Sequence, residues 1–112
     1  MFRVPTNRPP THPGEMLLEE FLVPMNLTQR ILADAIDVPY QRINDLIHGR
    51  RSITPSTALR LAKYFGNTPV SWMNLQTRWD LYFAQQKEKR ILAGIQPYET
   101  HDSGEKRTLI IP

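Results

Sequence analysis

Cysteine is missing from all 112 residues. Its absence excludes disulfides, thiolate metal sites and cysteine nucleophiles, and it suits the cytoplasm, where the chain is expected to reside. Long apolar runs are missing as well. The mean hydropathy is −0.44, and no stretch approaches the roughly 20 apolar residues that a membrane-spanning helix needs. The opening residues "MFRVPTNRPPTHPGE" are polar and proline-rich, so no secretory signal and no membrane partner are expected. Glycine is scarce, with five residues, and no glycine-rich phosphate loop can be assembled from them. The three histidines, His12, His48 and His101, are too far apart for metal-ligand spacing. Glu15, Glu19 and Glu20 have no nucleophile beside them and read as a solvated acidic face rather than an acid/base pair. These absences predict no enzyme, no metal and no cofactor.

Proline, by contrast, is abundant, with ten residues, and it falls at informative places. Pro13, Pro39, Pro55 and Pro69 each precede a helical pattern, as suits a residue whose missing N–H is not needed in a first helical turn. Thr54-Pro55 and Thr68-Pro69 have the form of a cap followed by a first helical residue. Pro24 ends a helix instead. The punctuation divides the chain into five helices, near 13–23, 29–36, 39–48, 55–65 and 69–90. Inward positions are Leu17, Leu18, Phe21 and Leu22 in the first, and Leu32, Ala33 and Ile36 in the second. Ile43, Leu46 and Ile47 serve the third, and Ala58, Leu59, Leu61, Ala62 and Phe65 the fourth. Gly49 and Gly66 are the expected stops of the third and fourth. No strand-like alternation precedes residue 91. The expected organisation is a flexible arm over 1–11, one helical domain over 12–90 and a loose tail over 91–112. The terminal "TLIIP" is either a short strand available to a partner or a disordered end.

Charge is uneven. The chain carries a formal +3, but residues 15–27 hold Glu15, Glu19 and Glu20 without a base. Residues 28–65 hold Arg30, Arg42, Arg50, Arg51, Arg60 and Lys63 against Asp34, Asp37 and Asp45. The basic middle of the chain permits a nucleic-acid partner without requiring one. It coincides with "QRILADAIDVPYQRINDLIH", residues 29–48, two helical patterns broken at Asp37-Val38-Pro39. The pair reads as a helix-turn-helix. Ala33 supplies the small residue where the helices cross, Val38 and Ile43 bury between them, and Asp37 must enter the left-handed region that glycine visits more easily.

With Thr28-Gln29 before it, this unit resembles the lambda-repressor-like class, from which Asp37 departs because that class usually has glycine there. A longer string resembles the HigA/VapI-like antitoxins of the XRE class. It runs from His12-Pro13-Gly14-Glu15 through Arg42-Ile43-Asn44, Gly49-Arg50-Arg51, Ile53-Thr54 and Thr57-Ala58-Leu59-Arg60-Leu61-Ala62. It continues through Tyr64-Phe65-Gly66 and Trp72-Met73-Asn74-Leu75-Gln76 to Asp80-Leu81. The resemblance implies an all-α, five-helix, lambda repressor-like domain with a long last helix, acting as a homodimer. It implies an antitoxin that binds double-stranded operator DNA at an inverted repeat, represses its own operon and neutralises a RelE-like, HigB-type, mRNA-cleaving toxin. A stand-alone XRE-type regulator without a toxin is the alternative.

The class places the start of the second motif helix in the major groove. The base-contact candidates are therefore Pro39, Tyr40, Gln41, Arg42 and Asn44. Gln and Asn match adenine edges, and Arg matches guanine. Asp45 is the poorest candidate, because it repels phosphate. Gln29, at a helix N-terminus, and Arg50 and Arg51, after the recognition helix, are the phosphate candidates. Trp72, Leu75, Trp79, Tyr82 and Phe83 read as core and dimer seam rather than a ligand site. Asn74, Gln76 and Asp80 either cross-link that seam or face water.

Overall fold

Residues 9–98 are described by the computed structural model, and among them every regular element is helical. The first helix starts on His12, whose Nδ1 accepts the Gly14 N–H at 2.9 Å. Pro13 follows as the first helical residue. Helix α1 spans Pro13–Leu17. The expected single helix over 13–23 does not keep α geometry, because Leu18–Leu22 form a π-helical segment. Leu17 and Leu22, five residues apart, would diverge around an α-helix of 3.6 residues per turn. The wider π turn lets both enter the core, at 0% and 3% exposure.

Helices α2 (Gln29–Ala35), α3 (Tyr40–Ile47) and α4 (Pro55–Phe65) follow. Threonine side chains cap α2 and α4: Thr28 Oγ1 accepts the Ile31 N–H and Thr54 Oγ1 the Thr57 N–H. Pro39 was expected to begin α3. Instead it remains extended, with ψ 145°, as the residue before the helix, and the Arg42 N–H closes the first turn on its carbonyl at 3.0 Å. Four helical segments end alike. Asn26, Asp37, Gly49 and Gly66 have φ of 53°, 60°, 74° and 78°. In each case the next N–H reaches five residues back, as Val38 does to Ala33 at 3.0 Å and Arg50 to Asp45 at 2.8 Å. This closure satisfies carbonyls that a helix end leaves free. Asp37 therefore takes the left-handed conformation the motif asks of it, although it has a Cβ.

The expected fifth helix over 69–90 breaks at Glu88. Helix α5 is Pro69–Lys87 and α6 is Lys89–Ala93, giving six helices among the described residues. Residues 86–90 are all exposed, so no burial holds the helix straight there. Helix α6 also carries the helical body past the expected boundary at residue 90. The "TLIIP" strand and most of the expected N-terminal arm lie outside the described residues.

The core is made by Leu17, Leu22, Leu32, Ala33, Ile36, Val38, Ile43, Leu46, Ile53, Ala58, Leu61, Ala62 and Trp72. Leu59, expected inward, is 59% exposed, because the 58, 61, 62, 65 stripe already forms the buried face of α4. Two contacts position α3. The start of α1 lies against its carboxy end, where a Cβ on Gly14 would fall on the Leu46 carbonyl oxygen and within 2.9 Å of the Ile47 Cα. From the other side, Arg60 of α4 donates to the Ile36 and Asp37 carbonyls at 2.7 and 3.0 Å. That fixes the turn between α2 and α3.

Candidate nucleic-acid interface

Helix α3 buries Ile43 and Leu46 and turns its other side outward. Tyr40 and Gln41 are exposed, and Arg42, Asn44 and Asp45 are half-exposed. Most of these polar groups are already engaged with one another. Gln41 Nε2 donates to Asp45 Oδ1 at 2.8 Å. Asn44 Nδ2 donates to Gln29 Oε1 at 3.1 Å and lies 3.5 Å from the Tyr40 hydroxyl. The Arg30 guanidinium sits 4.7 Å over the Tyr40 ring, a cation–π contact that restrains the ring. Of the sequence-predicted base contacts, Tyr40 and Asn44 are thus brought together with the predicted phosphate contact Gln29, which is bonded to Asn44 across the two motif helices, and Gln41 lies beside them on α3.

The left-handed Gly49 folds the chain back, so Arg50 does not extend freely away from α3. Its Nη2 reaches Asp45 Oδ1 at 3.3 Å and Asn44 Oδ1 at 3.4 Å. The side chain is still 58% exposed. The Gln41 amide, then Arg50, hold the Asp45 carboxyl below its ordinary value. Arg51 is exposed and Arg42 half-exposed, and neither makes a side-chain hydrogen bond or ion pair among the described residues. His48 packs back on its own helix, with Nδ1 2.8 Å from the Asn44 carbonyl oxygen.

The loop carrying Arg50 and Arg51 is anchored from α5. Gln76, 4% exposed, accepts the Ile53 N–H at 2.7 Å and donates to Asp80 at 2.9 Å. Gln76 is therefore a buried clamp and not a seam residue. Trp72 also leaves the expected seam. It is 1% exposed, packs on Phe21 and Phe65, and donates its indole N–H to Asn67 at 2.8 Å. Leu75, Trp79 and Tyr82 are half-buried and Phe83 is 43% exposed, joined along the helix by Trp79–Phe83 and Tyr82–Phe83 ring contacts. Leu81, Ile91 and Leu92 add exposed apolar surface nearby in the chain.

Four roles were not read from the sequence: the His12 cap, the Arg60 latch, the Gln76 clamp and the Asp45 hub. His12 is buried and meets Trp79 edge-on at 4.8 Å. Burial lowers its pKa, and the nearby Asp80 and Glu15 carboxylates oppose that shift in part. The signal for Arg60 was the carboxy end of α2, whose last carbonyls need donors.

A helix-turn-helix family model matches residues 18–73. Virulence-associated protein I of Dichelobacter nodosus is 48% identical over 83 residues, covering 74% of this chain and 77% of its own length. Antitoxin HigA-1 of Vibrio cholerae is 37% identical over 92 residues, covering 82% of this chain and 87% of its own. Among solved structures, the Pseudomonas aeruginosa antitoxin HigA with the higBA promoter superposes with a TM-score of 0.77. It is 36% identical and covers 80% of this chain and 99% of that one. The family model and these relatives agree: the chain belongs to the XRE-type helix-turn-helix family, in its HigA/VapI-like branch.

Proposed function

We propose that this protein is an autorepressing antitoxin that reads operator DNA with α3. The observation that carries the reading is the hydrogen-bonded surface of Tyr40, Gln41, Asn44 and Gln29 on a helix pair similar to a HigA bound to promoter DNA. In this reading Pro39, Tyr40, Gln41, Arg42 and Asn44 face base edges in the major groove. Gln29, Arg50 and Arg51 take phosphates, which sets orientation and salt dependence rather than sequence. A homodimer presents two such helices to an inverted repeat with half-sites about one helical turn apart. Its seam is formed by Leu75, Trp79, Tyr82 and Phe83, whose exposed apolar area calls for a cover. The second partner is a RelE-like toxin, supported by the antitoxin relative from V. cholerae.

Two measurements separate the parts. Footprinting on the gene's own upstream DNA is expected to protect an inverted repeat; no protection at any sequence would overturn the DNA-reading half. Co-expression with the adjacent gene is expected to recover a complex with a small basic protein. If no such neighbour exists or none co-purifies, the toxin half fails and a stand-alone regulator remains.

A further inference from the structure

An amide side chain presents either a carbonyl acceptor or an NH2 donor, and in isolation it rotates to suit whichever partner it meets. On α3 that freedom is removed. Asp45, ionised, only accepts hydrogen bonds, and Arg50 only donates. The two are paired at 3.3 Å, and each touches an amide. Because Asp45 only accepts, Gln41 must turn its NH2 toward it. Its Oε1 and one remaining N–H are left without a partner among the described residues. Because Arg50 only donates, Asn44 must turn its Oδ1 toward it. Asn44 Nδ2 is then directed to Gln29 Oε1. Gln29 in turn is left with an NH2 that has no partner among the described residues. One ion pair therefore dictates the sense of three amides.

We propose that Asp45 and Arg50 are positioning residues that fix the donor–acceptor pattern of the recognition surface and thereby make Gln41 select adenine over guanine. The inference rests on the DNA-reading function above. In the major groove adenine offers an N6 donor beside the N7 acceptor, whereas guanine offers only the O6 and N7 acceptors. A Gln41 whose Oε1 is available and whose second N–H is free complements adenine on both atoms. Against guanine, Oε1 meets another acceptor. The same arrangement turns the Gln29 carbonyl to Asn44 and leaves its NH2 available at the start of α2, a donor of the kind a phosphate oxygen requires. The local backbone serves the pair: Gly49, at φ 74°, folds the chain so that the Arg50 N–H bonds the Asp45 carbonyl at 2.8 Å, bringing the guanidinium over the carboxylate. The carboxyl is held in its charged form by the hydrogen bonds from Gln41 and Arg50. An acidic residue that looked unfavourable beside DNA is thus neutralised locally and put to use.

The test uses the full chain and its own upstream operator, with affinity measured for every single-base variant of one half-site. Wild type is compared with Asp45→Asn, Arg50→Met and Arg51→Met. Asp45→Asn is close in shape but can donate or accept, so it no longer imposes a sense on Gln41. The expected result is that adenine-over-guanine discrimination at one base pair per half-site falls about tenfold, the scale of one good base contact, with other positions unchanged. Arg50→Met removes the guanidinium that holds the Asp45 carboxylate in place beside Gln41, and is expected to relax the same base pair less than Asp45→Asn does, in addition to weakening binding. Arg51→Met is expected to weaken all sequences alike and to reduce the salt slope by about one. The proposal is overturned if Asp45→Asn and Arg50→Met leave every base preference at its wild-type value. It is also overturned if they relax positions indiscriminately. A wild-type protein without sequence preference would remove the DNA-reading function itself and this inference with it. Specific wild-type binding with unchanged variant profiles would overturn the inference alone.

Discussion

Replacing Gln76 by leucine tests whether the long helix holds the loop bearing Arg50 and Arg51 in place. The side chain is 4% exposed, and its Oε1 takes the Ile53 N–H at 2.7 Å. Leucine is similar in size, so the cavity contribution is small, but the Ile53 N–H loses its acceptor in a buried setting. Leaving one buried donor unpaired costs about 1–3 kcal/mol. Ile53 is itself 3% exposed, so water cannot readily replace the amide, and we expect about 2 kcal/mol. With a urea slope of about 2 kcal/mol/M, the midpoint should fall by about 1 M. Wild type and variant should be compared at the same protomer concentration, because the proposed dimer would shift apparent stability. Asp80→Asn is the control: it keeps an acceptor for Gln76 Nε2 and should cost less than about 0.5 kcal/mol. The Gln76→Leu protein should also bind operator more weakly under conditions where it is folded, because the loop bearing Arg50 and Arg51 loses its anchor. A Gln76→Leu midpoint within about 0.2 M of wild type would refute the clamp.

Three further outcomes follow from the packing around α3. Gly14→Ala places a methyl on backbone of α3 that has no flexible end to yield, so it should destabilise by at least about 1–3 kcal/mol, read from chemical unfolding. Asp37→Gly removes a Cβ from a residue at φ 60° while keeping the carbonyl that Arg60 bonds. It should stabilise by about 0.5–1 kcal/mol in the same assay with operator affinity unchanged. His12 must be unprotonated at Nδ1 to cap α1, and its pKa is lowered, first by burial. Its contribution is therefore complete above the ordinary histidine value of about 6.5 and is lost as pH falls through that value toward the lowered one. Unfolding midpoints at pH 8 and pH 5 should fall more for wild type than for His12→Asn, which keeps a capping side chain that does not titrate in this range.

Helix positions were legible because caps and stops are local chemistry: Thr28, Thr54, Gly49 and Gly66 each act where their residue type says they should. The π segment at Leu18–Leu22 and the break at Glu88 were not legible, since both depend on what neighbouring helices bury or fail to bury. The residues of the candidate surface were likewise nameable from the helix-turn-helix spacing, but their pairing was not. Asp45 read alone is a repulsive charge. Within α3 it accepts from Gln41 one turn back, and the fold-back at Gly49 brings Arg50 onto it as a counter-charge. Trp72 read as core and seam together, and Gln76 as cross-linking the seam or facing water, because a helix with many apolar and amide side chains does not say which of its faces meets its own chain.

The central claim is that α3 reads base edges in operator DNA. Fluorescence anisotropy on the protein's own upstream inverted repeat, against a scrambled duplex at matched salt, measures it directly in wild type and in the Gln41→Ala/Arg42→Ala double variant. Wild type should prefer the operator by at least about 10³-fold. The double variant should lose at least about tenfold of that ratio while keeping its affinity for scrambled DNA within a few-fold. An unchanged ratio in a folded double variant would place sequence reading elsewhere on the molecule.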